Sequence, residues 1–85
     1  MKVIFLGTEN CRACKMLKNA MEYACIEGYE YRCIDPTVKE DMDFIKKYNT
    51  FTFPTLLKLD DEGNEIGRIC NNKSLQAIRE FLKEE

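Results

Sequence analysis

The sequence predicts an α/β fold with elements in the order β-α-β-α-β-β-α, a four-stranded mixed sheet covered by three helices. Three observations lead there. Short apolar runs rich in β-formers alternate with segments whose apolar residues recur at helical spacing. The chain starts strand, helix, strand, which implies a right-handed crossover and a parallel pair. Two later strand-like runs flank Asp60-Asp61-Glu62-Gly63-Asn64, a hairpin loop that adds antiparallel strands.

Lys2 to Gly7 is a short apolar run that Gly7 ends early, so it reads as a buried strand. After the polar connection Thr8-Glu9-Asn10, a helix is expected from Cys11 to Cys25. Ala13, Leu17, Ala20, Met21 and Ala24 form its apolar stripe, and Arg12, Lys15, Lys18, Asn19 and Glu22 its polar side. On a helical wheel Cys14 edges the stripe and Cys11 lies nearly opposite its centre, which predicts an exposed Cys11 and a shielded Cys14. Gly28 closes this unit. Tyr29 to Ile34 is the second strand, with Tyr29, Tyr31 and Cys33 on one face. Asp35-Pro36 breaks it. Thr37, with Glu40 three residues on, reads as a capping box opening a helix that carries Val38, Met42, Ile45 and Tyr48. Asn49 to Phe53 is a loop ahead of Pro54. Thr55–Leu59 and Glu65–Cys70 are the third and fourth strands. Asn71-Asn72 lead into a last helix with Leu75, Ile78, Phe81 and Leu82 inward.

A chain of 85 residues fits a single domain spanning residues 1–85. Chains of this size bury only about 60–65 % of their unfolded surface. With 45 % apolar and 33 % charged residues the composition is globular, and the net charge of −2 has the wrong sign for a nucleic-acid module. The longest apolar run, Val3 to Leu6, is far too short to span a membrane or serve as a signal peptide. Histidine is absent, which removes its acid–base and metal chemistry. The chain is expected in the cytoplasm, as a monomer, with no membrane or nucleic-acid partner.

Five cysteines, at positions 11, 14, 25, 33 and 70, are an odd number, which a fully paired secreted framework does not use. Cys11 and Cys14 form the C-x-x-C sequence C-R-A-C. A zinc site would need Cys25 and Cys33 as well, and Cys25 stands about 20 Å along the helix from Cys11 at 1.5 Å per residue. Redox chemistry fits better. A helix N-terminus stabilises an anion, and C-x-x-C thiols can titrate at roughly 3.5–7.5 instead of ~8.5. Arg12 and Lys15 add positive charge beside the pair, and Glu9 opposes them. One turn separates the two Cβ atoms by about 5–6 Å, and slight tightening reaches the roughly 3.5–4.5 Å a disulfide needs. Exposed Cys11 is thus the attacking thiolate, and shielded Cys14 resolves the mixed disulfide. No metal and no organic cofactor is called for. Cys25 and Cys33 are expected as small core or boundary residues.

The chain resembles the thioredoxin-like superfamily over essentially its whole length, at the minimal, glutaredoxin-sized end. The resemblance rests on a strand followed by T-E-N-C-R-A-C-K, on F-T-F-P-T-L-L, and on the hairpin D-D-E-G-N-E-I-G-R-I. It implies a cis bond before Pro54, with the proline against the C-x-x-C disulfide and Phe53 offering backbone groups to an extended substrate. It also puts Cys70 and Asn71, where the fourth strand ends, at the border of the site as substrate-binding candidates. Phe51 is a further candidate platform and Thr8 a support for the loop. Thioredoxins usually carry W-C-G-P-C and an acid in the preceding strand. Here Asn10 and Arg12-Ala13 stand instead, and Val3-Ile4-Phe5-Leu6 has no acid, leaving Glu9 the nearest carboxylate in sequence for proton transfer to Cys14. The loop Cys70-Asn71-Asn72-Lys73 lacks the glycines and acids with which glutaredoxins grip glutathione.

The resemblance therefore implies a reductase of protein disulfides, supplied with electrons by a thioredoxin-reductase-type protein or by glutathione. The alternatives are a glutathione-dependent, glutaredoxin-like reductase or an electron donor to ribonucleotide reductase. A non-enzymatic module that holds a metal or a partner on the cis-proline face is the reading from another class.

Overall fold

The computed structural model describes residues 1–70 and 74–83. Its elements are β1 (Lys2–Thr8), α1 (Arg12–Tyr23), β2 (Glu30–Ile34), α2 (Lys39–Tyr48), β3 (Thr55–Leu59), β4 (Glu65–Cys70) and α3 (Leu75–Leu82). They form the α/β arrangement expected, a four-stranded sheet in the order β2-β1-β3-β4. β1 runs parallel to β2, and β3 is antiparallel to both β1 and β4.

β1 is apolar from Val3 to Gly7 because both its faces are covered there, which removes the alternation of a half-exposed strand. Val3 and Phe5 point to one side, where Cys14, Leu17 and Met21 of α1 and Ile78 of α3 pack with Leu56. Ile4 and Leu6 point to the other, against Ile45 of α2 with Ile34, Leu57 and Leu59. α1 and α3 therefore share one face and α2 covers the opposite one. Phe53 packs against both clusters.

Two helix ends differ from the sequence reading. α1 stops at Tyr23, and its C-terminal carbonyls are closed by Cys25 N–H to Glu22 O at 3.1 Å and Ile26 N–H to Met21 O at 2.9 Å. This pairing needs a left-handed residue just past the cap, and Cys25 supplies it with φ +58°. Cys25 is therefore an exposed turn residue, and Ile26 is the one buried. Helical periodicity continues through this turn and hides the stop. A side chain in left-handed backbone costs roughly 1–2 kcal/mol, which glycine escapes while losing more freedom on folding. Cys25→Gly is expected to stabilise the fold by about 0.5–1 kcal/mol, measured as a higher urea midpoint at unchanged slope.

The Thr37–Glu40 capping box does not form. Val38 is the N-cap of α2 and makes no side-chain cap bond. Asp35 captures Thr37 instead, accepting from its N–H at 2.9 Å and its hydroxyl at 2.7 Å. Such local bonds compete directly with capping. Asp41 on the first turn then accepts from the Asp35 N–H at 2.9 Å and from Arg32 at 2.9 Å. Asp41 is held below the usual carboxylate range, first by the Asp35 N–H and then by Arg32.

Cys33 also departs from expectation, since its thiol is exposed. It shares the inward-facing side of β2 with Tyr31, but β2 is an edge strand and Cys33 lies near its end.

Candidate active site

The site begins where β1 delivers the chain to α1. The Cys11 N–H donates to Thr8 O at 3.2 Å, so the backbone of Thr8 supports the connecting turn. Cys11 is the N-cap of α1, with φ −90° and ψ 104°. Its sulfur accepts the backbone N–H of Cys14 at 3.1 Å. N-cap side chains normally satisfy this orphan donor through oxygen; here a cysteine sulfur does it. The first turn of α1 contains no acidic residue to offset the positive end of the helix dipole.

Cys11 and Cys14 are joined as a disulfide, with Cα atoms 5.2 Å apart. Cys11 is half-buried and Cys14 completely buried in the cluster beneath α1. This is the asymmetry the wheel anticipated, one sulfur approachable and one shielded. Arg12 and Lys15 are exposed on the first turn. Arg12 also borders a groove of about 420 Å³ with Ala13, Met16, Leu17 and Ala20.

The peptide between Phe53 and Pro54 is cis, as the resemblance implied. Phe53 is half-buried, Pro54 buried and Phe51 exposed. Phe53 packs against the cluster that contains Cys14. Thr55, the next residue, pairs across the sheet with Cys70, and its hydroxyl lies 3.7 Å from the Cys70 sulfur. Cys70 is an exposed free thiol at the end of β4. Asn71 lies outside the described residues. Glu9 is exposed in the loop ahead of Cys11 and lines a separate cleft of about 530 Å³ with Cys33 and Asp35. Among the described residues, no three of Cys, Asp and Glu come together as a metal-binding group.

Two residues of this neighbourhood carry more than the sequence shows, the glycine that ends the first strand and Tyr31 on one face of the second. A Cβ on Gly7 would stand 2.9 Å from the Tyr31 hydroxyl and 3.2 Å from the Cys14 Cβ. The glycine thus leaves room for Tyr31 to reach across from β2 toward the buried cysteine. Nothing in the local pattern announces this, because it depends on the parallel register of β1 on β2.

No protein-family model matches the chain. A thioredoxin-like protein derived from the SPbeta prophage, YosR of Bacillus subtilis, is 29 % identical over 84 residues, covering 99 % of this chain and 98 % of that protein. Thioredoxin 1 from Thermosipho africanus superposes with a TM-score of 0.64 at 30 % identity, over 94 % of this chain and 88 % of that one. Fold and sequence are thus shared with a thioredoxin along nearly the whole chain, which carries its own disulfide at the opening of α1 and therefore belongs to the thioredoxin-like superfamily, with thiol–disulfide oxidoreduction as its chemistry.

Proposed function

We propose that the protein reduces disulfides in other proteins by dithiol exchange. The observation that carries this reading is the unequal placement of the two sulfurs. Cys11 is approachable and takes the N–H of Cys14 at the end of α1, while Cys14 is sealed beneath it. The thiolate of Cys11 attacks one sulfur of a substrate disulfide, and the other substrate sulfur leaves with the bonding electron pair. The Cys14 thiolate then attacks the Cys11 sulfur, closes the protein disulfide and expels the second substrate thiolate. The substrate gains two electrons and the protein loses two. The helix N-terminus favours the attacking thiolate, and exposed Arg12 and Lys15 add to that field.

Likeness to a thioredoxin over the chain supports proteins as the substrates. Phe53 and Pro54, with the exposed Cys70 behind Thr55, are the surface on which an extended substrate segment would lie. The same reading takes the protein as a cytoplasmic monomer without a metal or an organic cofactor. No helix is long and apolar enough to cross a membrane among the described residues.

The test follows NADPH consumption by the oxidised protein in two coupled assays, one with thioredoxin reductase and one with glutathione and glutathione reductase, insulin being the terminal disulfide. Turnover with thioredoxin reductase is expected. Turnover with glutathione alone would overturn the thioredoxin-type assignment in favour of glutathione-mixed disulfides as substrates.

A further inference from the structure

We propose that Tyr31 is the positioning residue for the buried thiol, its hydroxyl donating a hydrogen bond to the Cys14 sulfur whenever that sulfur is a thiolate. This rests on the disulfide-exchange reading above and assigns a part that neither the C-x-x-C sequence nor β1 supplies.

Cys14 acts in both directions of the exchange as an anion inside an apolar cluster. When a thiolate attacks Cys11 of the protein disulfide, the S–S bond breaks and its electron pair departs on Cys14. When a substrate is held on Cys11, deprotonated Cys14 must attack. A buried anion without a donor is costly, and β1 offers none, since Val3, Phe5 and Gly7 are the residues on that face. The Tyr31 hydroxyl occupies the space a side chain at position 7 would otherwise fill, and the Cys14 Cβ borders that same space. The ring is fixed edge-on against Phe5, with centroids 5.3 Å apart at 66°. The Lys18 ammonium lies over the ring, 5.1 Å from its centroid. In the disulfide, Cys14 is bonded to Cys11 and is a poor acceptor. Reduction makes it a strong one.

Tyr31 is suited to donate rather than to accept. Burial raises its phenol above the ordinary tyrosine value, the neighbouring Cys33 reinforces this by charge and through a side-chain hydrogen bond with the hydroxyl, which Cys14 would take over on reduction, and Lys18 opposes it. It therefore keeps its proton at neutral pH. The titratable and charged groups facing it are Lys18, held by Glu22, and Cys11 and Cys14 from the α1 side, and Tyr29 and Cys33 from its own segment of chain.

The experiment is a titration of Cys14 by its ¹³Cβ chemical shift in a Cys11→Ser background, where Cys14 titrates without its partner. Tyr31→Phe keeps the ring and its packing and removes only the oxygen. The Cys14 midpoint is expected to rise by about one pH unit, a tenfold loss in acid dissociation, the usual scale of one hydrogen bond to a charged group. Gly7→Ala pushes the hydroxyl away from the neighbouring strand and is expected to move the midpoint in the same direction. Adding it to Tyr31→Phe should then raise the midpoint little further. A Cys14 midpoint that Tyr31→Phe leaves unchanged overturns the inference. Wild-type turnover is read separately: its absence would sink the reductase reading, while the titration still reports on the hydrogen bond.

Discussion

Replacing Cys14 by serine is expected to end turnover and to leave the substrate covalently attached to Cys11. The first exchange needs only the sulfur at the helix end, which the substitution leaves in place. Release needs a second thiol already oriented beneath it. Effective molarities of well-placed intramolecular groups reach on the order of 10⁵ M and above, so an external thiol at millimolar concentration is no substitute. An adduct of protein plus one substrate should accumulate and appear in non-reducing mass spectra, with the rate down by about a thousandfold or more. The companion variant, Cys11→Ser, should form no adduct. Cys70 provides the informative alternative. Its thiol is exposed beside Thr55, at the end of β4. If Cys14→Ser still turns over and Cys14→Ser/Cys70→Ser does not, resolution belongs to Cys70 and the assignment of Cys14 fails.

The largest expected effect on stability comes from Phe5. Its side chain is fully buried at the middle of β1, and its ring meets both Tyr29 and Tyr31, at centroid distances of 5.9 and 5.3 Å. Phe5→Ala removes the transfer free energy of the ring and leaves a cavity, typically about 3–5 kcal/mol together. Domains of this kind hold roughly 0.05–0.15 kcal/mol per residue in total. The variant should therefore be largely unfolded at room temperature, or melt far below the wild type. Phe5→Leu, which keeps most of the volume, should cost well under half as much. Urea unfolding of the two variants checks the order, and similar midpoints would mean that the core relaxes around the lost ring. Because Tyr31 leans on Phe5, even the leucine variant should disturb the surroundings of Cys14.

What could be read in advance follows from where the information resides. β1 was legible because double-sided burial demands an unbroken apolar run. The start of α1 was legible because a polar connection leads straight into a periodic stripe, and the unequal exposure of Cys11 and Cys14 followed from that stripe. The cis bond at Pro54 entered only through family resemblance, since spacing and composition carry no trace of it. The end of α1 was misread because its left-handed residue is a cysteine, where glycine or asparagine would have marked the turn. The α2 cap was misread because Asp35 outcompetes the helix end for Thr37. Cys33 was placed in or at the edge of the core because alternation assigns a face and says nothing about distance from the rim of a sheet. The approach of Tyr31 to Cys14 was the least accessible, as it needs the register of two strands separated by a helix.

One sulfur, that of Cys11, closes the end of α1 and, in the proposed mechanism, also does the chemistry. In most helices the capping atom can be exchanged for a better one at no cost to anything else. Serine or aspartate would close this end more effectively, and either would silence the protein while leaving its architecture sound. On the proposed mechanism reactivity, not capping strength, sets the residue at position 11, and the helix accepts a weaker acceptor in the oxidised state than in the reduced one. Each turnover alters how firmly the first turn is held, so that folding strength and oxidation state become two readings of a single bond.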